Sequence, residues 1–376
     1  FFRLMNIFQL PILTIILFFL VLETVFYFNQ SIFPNNLKIW IDKKGNNIQV
    51  IEYLEDSPYI KFKPNTDIKI RFYRGNVNQF QYSWRTDSKG FKNNDTLANL
   101  KTVDVVAIGD SFTEGMGVSK NETYPGILNK KGFLTYNLGV QGYSPTQALG
   151  RLQQFGSKLM PKFIIAQYTI NTYKREKFFL DKENISFTGG IGHINAAQIN
   201  PEIRNQAKYI FSAVWLMTKN IRNFLSKKIK FNHIRLKNEK FEPYKYLVNI
   251  KDYNTAPDNK KLWDVTLQAF KDMNDVANEI GAKFILLYIP TRSIVYYEKA
   301  MGEETPPMVF NETNTLREFA ENNNFTYIDP TKKLIEYVND LPENFKLDQL
   351  PFLIVDSHMN KIGYDIISEE IIKELK

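Results

Sequence analysis

Three histidines (His193, His233, His358) and no cysteine leave this chain few ways to build a nucleophile beside a base. A thiolate nucleophile, a disulfide framework and thiolate zinc sites are excluded by composition. Three histidines make a histidine-rich metal centre a poor fit as well, so neither a metal nor another cofactor is expected. Hydroxyl chemistry is the main route left. Ser111 stands in Gly109-Asp110-Ser111-Phe112-Thr113-Glu114-Gly115, directly after the apolar run Val103–Ile108. A serine where a buried strand gives way to a helix presents its hydroxyl at the ligand edge of a sheet, beside a backbone N–H able to receive an oxyanion. Its alternative role there is to cap the helix. A serine nucleophile also needs a base, and the base an orienting group. His358 lies in Val355-Asp356-Ser357-His358-Met359-Asn360, just before the helical pattern Lys361–Leu375. Asp356, two residues upstream, can hold Nδ1 while Nε2 faces Ser111; Asp329, after the strand-like Phe325–Ile328, is the competing acid. His193, in a glycine-rich stretch, reads as loop structure, and His233, among lysines, as exposed.

Taken together these blocks resemble the SGNH hydrolases, also called GDSL esterases/lipases, over about residues 101–170 and 282–376. The resemblance implies that Ser111 is the nucleophile and that its N–H is an oxyanion donor. It also implies a second donor at Gly142, in Asn137-Leu138-Gly139-Val140-Gln141-Gly142, and a side-chain donor at Asn171. The block around Asn171, Thr169-Ile170-Asn171-Thr172, lacks the preceding glycine and following aspartate usual in the family. The last block is Asp-x-His (Asp356, His358) where Asp-x-x-His is common, a spacing similar to some membrane-anchored and polysaccharide-modifying members. The fold so implied is a three-layer α/β/α, flavodoxin-like parallel sheet. The implied activity is hydrolysis of glycan or lipid esters through a Ser111-His358-Asp356 triad. An O-acyltransferase using the same triad, or a catalytically inactive glycan-binding or assembly component, are the alternatives.

The elements that must position these groups are legible too. Strand-like runs at Val103–Ile108, Leu134–Leu138, Phe163–Thr169, Lys283–Ile289 and Phe325–Ile328 alternate with helical patterns. One of these is Leu262–Ile280, with Leu262, Val265, Ala269, Met273, Val276 and Ile280 on one stripe. Such alternation predicts βαβ units, a parallel sheet and ligands beyond the carboxyl ends of its strands. The stretch 172–260 is too long for an ordinary connection and is expected to be an insertion with helices of its own, for instance at 203–230. Residues 31–100 predict an extended juxtamembrane arm with short strands and no chemistry, so that the α/β domain runs from 101 to 376.

Residues 1–30 are read as an anchor. From Ile7 to Phe28 the only charge is Glu23, the length suits a bilayer span, and the bulky exit Val25-Phe26-Tyr27-Phe28 offers no signal-peptidase site. Arg3 places the N-terminus in the cytoplasm, which predicts a single-pass protein whose catalytic domain is periplasmic or extracellular, in a bacterial envelope. Nearly all of the formal +8 lies between Lys219 and Lys240, where eight Lys/Arg face one acid, Glu239. An amphipathic basic start to that segment suggests contact with an anionic lipid or glycan surface, against the plainer role of a cap helix with a solvated face. Neither Gly-x-Gly-x-x-Gly nor a P-loop occurs, and no nucleic-acid module or nucleic-acid partner is expected.

Overall fold

The apolar runs after residue 101 pair into a single five-stranded parallel sheet. The structure is a computed structural model that describes residues 51–53, 60–74, 77–177, 257–354 and 356–376, with positions 14, 17, 18, 21, 241 and 250. The sheet strands are β5 (Val105–Ile108), β6 (Thr135–Asn137), β7 (Phe163–Thr169), β8 (Lys283–Ile289) and β9 (Thr326–Ile328). Their order is β6-β5-β7-β8-β9, so the winding reverses between β5 and β7. In such a sheet the carboxyl ends at the reversal open the crevice where ligands sit.

Successive residues of β5 enter different cores, which is why the run is apolar without alternation. Val106 and Ile108 join Tyr136, Ile164, Ala166, Leu286 and Tyr288 on one face. Helices α4 (Pro145–Arg151), α5 (Lys260–Glu279) and α7 (Asn311–Asn322) cover that face. Val105 and Ala107 join Ile165, Ile285, Leu287 and Ile328 on the other. There α3 (Tyr124–Lys130), α6 (Arg292–Met301), α8 (Thr331–Asn339) and α9 (Lys361–Leu375) pack. The result is the three-layer α/β/α arrangement. On α5 the buried face keeps Leu262, Ala269 and Met273 of the expected stripe but turns toward Trp263, Thr266, Phe270 and Ala277. The aromatic pair is the reason: Trp263 and Phe270 both meet Tyr168 of β7 edge-on.

The residues before 101 are two antiparallel pairs, β1 (Ile51–Tyr53) with β2 (Ile60–Phe62) and β3 (Asp67–Arg74) with β4 (Val77–Arg85), followed by the short helix α1 (Asp95–Ala98). Phe62, Ile68, Trp84, Phe91 and Leu97 belong to the same apolar cluster as Val106 and Tyr136. Asp87, wholly buried, ties the junction: its carboxylate accepts the N–H groups of Lys89 and Phe91, the amide of Asn93 and the hydroxyl of Tyr136.

Several expectations fall elsewhere. Most of the 7–28 segment, the basic run 219–240, His193, His233 and nearly all of the 172–260 insertion lie outside the described residues. Positions 14, 17, 18 and 21 are helical, with Leu17, Phe18 and Val21 exposed. Among the described residues no helix is long and apolar enough to cross a membrane.

Candidate active site

The chain leaves β5 through Gly109-Asp110 and turns at once into α2 (Ser111–Glu114). Asp110 is the cap of that helix, its Oδ1 accepting the N–H of Phe112 at 2.9 Å, so the capping role open to Ser111 is filled by its neighbour. The Asp110 N–H donates to Gln167 Oε1 on β7 at 3.1 Å, which fixes the turn against the next strand of the sheet. Ser111 is thereby left with its hydroxyl free to pair elsewhere.

It pairs with His358. Nε2 of His358 is 2.7 Å from Ser111 Oγ, and Nδ1 is 2.7 Å from Asp356 Oδ2. The histidine sits on the connection into α9, which an isolated bridge between Phe352 and Met359 closes into a tight loop. Arg292, at the start of α6, donates to the Asp356 carbonyl at 2.6 Å, and Ser357 N–H donates to Asp356 Oδ1 at 2.7 Å. Phe112 packs against the imidazole with ring centroids 4.9 Å apart. Asp329 is engaged elsewhere: it accepts from Thr331, Thr313 and Arg317 and is not a partner of His358.

The electrostatics suit a general base. Burial by itself lowers the basicity of His358, but the Asp356 carboxylate, through charge and hydrogen bond, outweighs it; the charges of Asp110 and Glu114 add, and the imidazole is held above its ordinary value. Burial would raise Asp356, yet the His358 charge and hydrogen bond, with the Ser357 N–H, take it down to about 2. Asp356 is therefore ionised and His358 basic but neutral above its transition, the state that can take a proton from Ser111.

The expected oxyanion donors line the same edge. Gly142 occupies the turn after β6 with φ +77°, a left-handed conformation that a glycine adopts without strain. The N–H groups of Ser111 and Gly142 find no hydrogen-bond partner among the described residues. Asn171, two residues past β7, caps the following turn in the left-handed region, φ +65°, where asparagine is a tolerated side chain. Its N–H donates to Glu312 Oε1 at 2.7 Å, its Oδ1 is buried without a partner, and its Nδ2 donates to nothing among the described residues. Residues 172–176 form a short 3-10 helix after it, so the missing glycine and aspartate of this block are replaced by a helical turn that begins on Asn171 itself.

Four residues carry weight here that the sequence did not single out. Arg175 bridges the turns, donating to Asp110 Oδ2 at 2.5 Å and to the Tyr143 carbonyl at 3.0 Å. Gln167 anchors Asp110 as described. Glu114 and Lys92 are both buried beneath the site, Lys92 coming from the segment before residue 101 and bonding to the carbonyls of Gly115 and Val118 just after Glu114. Arg175 had a possible signal, since it lies four residues after Asn171; Lys92 had none, because a lone lysine in Gly90-Phe91-Lys92-Asn93-Asn94 looks like a solvated loop. Among the described residues no cluster of His, Asp and Glu could hold a metal ion.

No protein-family model matches the chain, and no curated protein does. Solved structures to which it is similar include a GDSL-like lipase from Bacteroides thetaiotaomicron, 14% identical over 76% of this chain and 90% of that one, with a TM-score of 0.36. A catalytic mutant of an acetylxylan esterase from Geobacillus stearothermophilus is 12% identical over 73% of this chain and 95% of that one, with a TM-score of 0.37.

Proposed function

We propose that the protein is a serine ester hydrolase of the SGNH type, tethered to a membrane by residues 7–28 and acting outside the cytoplasm on acyl esters of glycans or lipids. The observation that carries this reading is the unbroken pair of 2.7 Å contacts from Ser111 Oγ through His358 to Asp356 Oδ2, at the carboxyl edge of a parallel sheet. In the first step His358 Nε2 takes the Ser111 proton as Oγ attacks the acyl carbonyl. The charge that develops on the carbonyl oxygen is met by the N–H groups of Ser111 and Gly142 and by Asn171 Nδ2. His358, now imidazolium beside Asp356, returns the proton to the departing alcohol. A water molecule activated by the same histidine then releases the acid and restores the serine. The exposed apolar residues Leu17, Phe18 and Val21, each helical, are in keeping with the tether.

One experiment tests both halves. Cells expressing the full chain are fractionated and treated with a fluorophosphonate probe. A single labelled band in the membrane fraction, lost in Ser111→Ala, is the expected result. No label in the parent protein sinks the enzyme, and label confined to the soluble fraction sinks the tether.

A further inference from the structure

Glu114 is the last residue of α2 and is fully buried, yet its carboxylate hydrogen-bonds to none of Ser111, His358 and Asp356. Its carboxylate reaches across to the turn after β6. Oε2 accepts the backbone N–H of Gln141 at 2.9 Å, and Oε1 accepts the Gln141 side-chain Nε2 at 2.9 Å. Gln141 immediately precedes Gly142, whose own N–H has no partner among the described residues and is there aimed by its neighbours. The turn approaches α2 so closely that a Cβ on Gly139 would lie 2.3 Å from Glu114 N. Both oxygens of Glu114 accept, which is the pattern of the ionised carboxylate.

A buried carboxylate stays ionised only with a compensating charge. The candidate is Lys92, 2% exposed, whose ammonium donates to the carbonyls of Gly115 and Val118 at 2.7 Å each, in the turn that follows Glu114. Its ammonium lies over the rings of Tyr82 and Trp84, at 5.2 and 5.4 Å from their centroids. Burial pushes Glu114 up and Lys92 down, and each charge opposes the other's shift. The remaining groups that face the pair are His358 toward Glu114, Lys120 and Glu122 toward Lys92, and the hydroxyls of Tyr82 and Tyr364.

We propose that Glu114 is a positioning residue that aims the Gly142 N–H at the reacting oxygen, and that Lys92, supplied by the segment before the sheet, keeps it ionised to do so. The inference rests on reading the site as a serine esterase. It makes the oxyanion turn depend on a charge pair that spans three separate pieces of chain: 86–93, 109–118 and 139–144.

The test uses the full chain with p-nitrophenyl acetate as the probe ester. Glu114→Gln keeps the volume but can accept only one of the two Gln141 bonds and presents an N–H to the other. Its kcat should fall about ten- to hundred-fold with KM within threefold, since removing an oxyanion donor outright costs about 10²–10³ in kcat. Lys92→Met keeps the stem but strands the carboxylate, which then protonates at neutral pH. Its kcat defect at pH 7 should match that of Glu114→Gln and should recover as the pH is raised and Glu114 ionises, whereas Glu114→Gln should not recover. Gln141→Ala, which removes one bond only, should fall between the parent and Glu114→Gln. A purely structural role would lower the unfolding midpoint of these variants without this pH-dependent difference between Lys92→Met and Glu114→Gln. If the parent turns over and labels at Ser111 while Glu114→Gln keeps kcat within threefold, or raises KM alone, this inference falls by itself. A parent that neither turns over nor labels overturns the esterase reading and takes this inference with it.

Discussion

Asp356 accepts two hydrogen bonds with its two oxygens, one from Ser357 and one from His358, and so fixes both the tautomer and the basicity of the imidazole. Because His358 is held above its ordinary value, the rate must fall as pH drops through that raised value, since protonated imidazole cannot accept the Ser111 proton. The acid limb of kcat/KM is therefore expected above pH ~6.5, the unperturbed histidine value. A rate that stays level to pH 4 would remove His358 from the mechanism. In Asp356→Asn the supporting charge is gone, so the limb should move to lower pH while kcat drops by about 10³–10⁴. The meeting of these side chains was legible in the sequence because composition left only one histidine beside a loop carboxylate. Arg175, Gln167 and Lys92 were not legible, because each acts through a partner at least 23 residues away, and nothing in local pattern reports such a contact.

At the scale of elements, β7 and β8 begin and end where their apolar runs do, and α9 where its helical pattern does, whereas β5, β6 and β9 are shorter than the runs that announce them. The difference is physical: a strand ends where its partners end, and the N–H of Val103 donates to the Leu159 carbonyl, in a 3-10 turn outside the sheet. The resemblance implies a donor at Gly142 in the turn after β6, but nothing in the sequence shows how closely that turn approaches α2. Gly139→Ala should cost about 1–3 kcal/mol by chemical denaturation, because the new methyl meets backbone atoms of Thr113 and Glu114 that cannot rotate away. An unchanged midpoint would show that the two turns have room to part.

Across the whole molecule, the segment before residue 101 packs into the sheet domain through Phe62, Trp84, Phe91 and the buried Asp87. Its integration was illegible because its apolar residues are scattered among lysines and asparagines, and it is their convergence on Tyr136 and Val106 that makes them a core. Asp87→Ala would strand the amides of Lys89 and Phe91 and the Tyr136 hydroxyl. A loss of about 3 kcal/mol in one cooperative unfolding transition is expected. Two separated transitions would mean that the segment folds apart from the sheet.

Nucleophile and base are 247 residues apart, one at the first strand of the sheet and the other on the loop into its last helix. Tyr364 of that helix donates to the Phe112 carbonyl at 2.8 Å, so α9 docks on the nucleophile's own turn. During synthesis, at about 5–20 residues per second, the serine waits roughly 10–50 s for its histidine. Throughout that interval the emerging polypeptide carries Ser111 without His358, so on the proposed reading it cannot cleave an ester before α9 arrives. On the proposed reading, hydrolytic competence appears only once α9 has emerged and docked on the serine's turn.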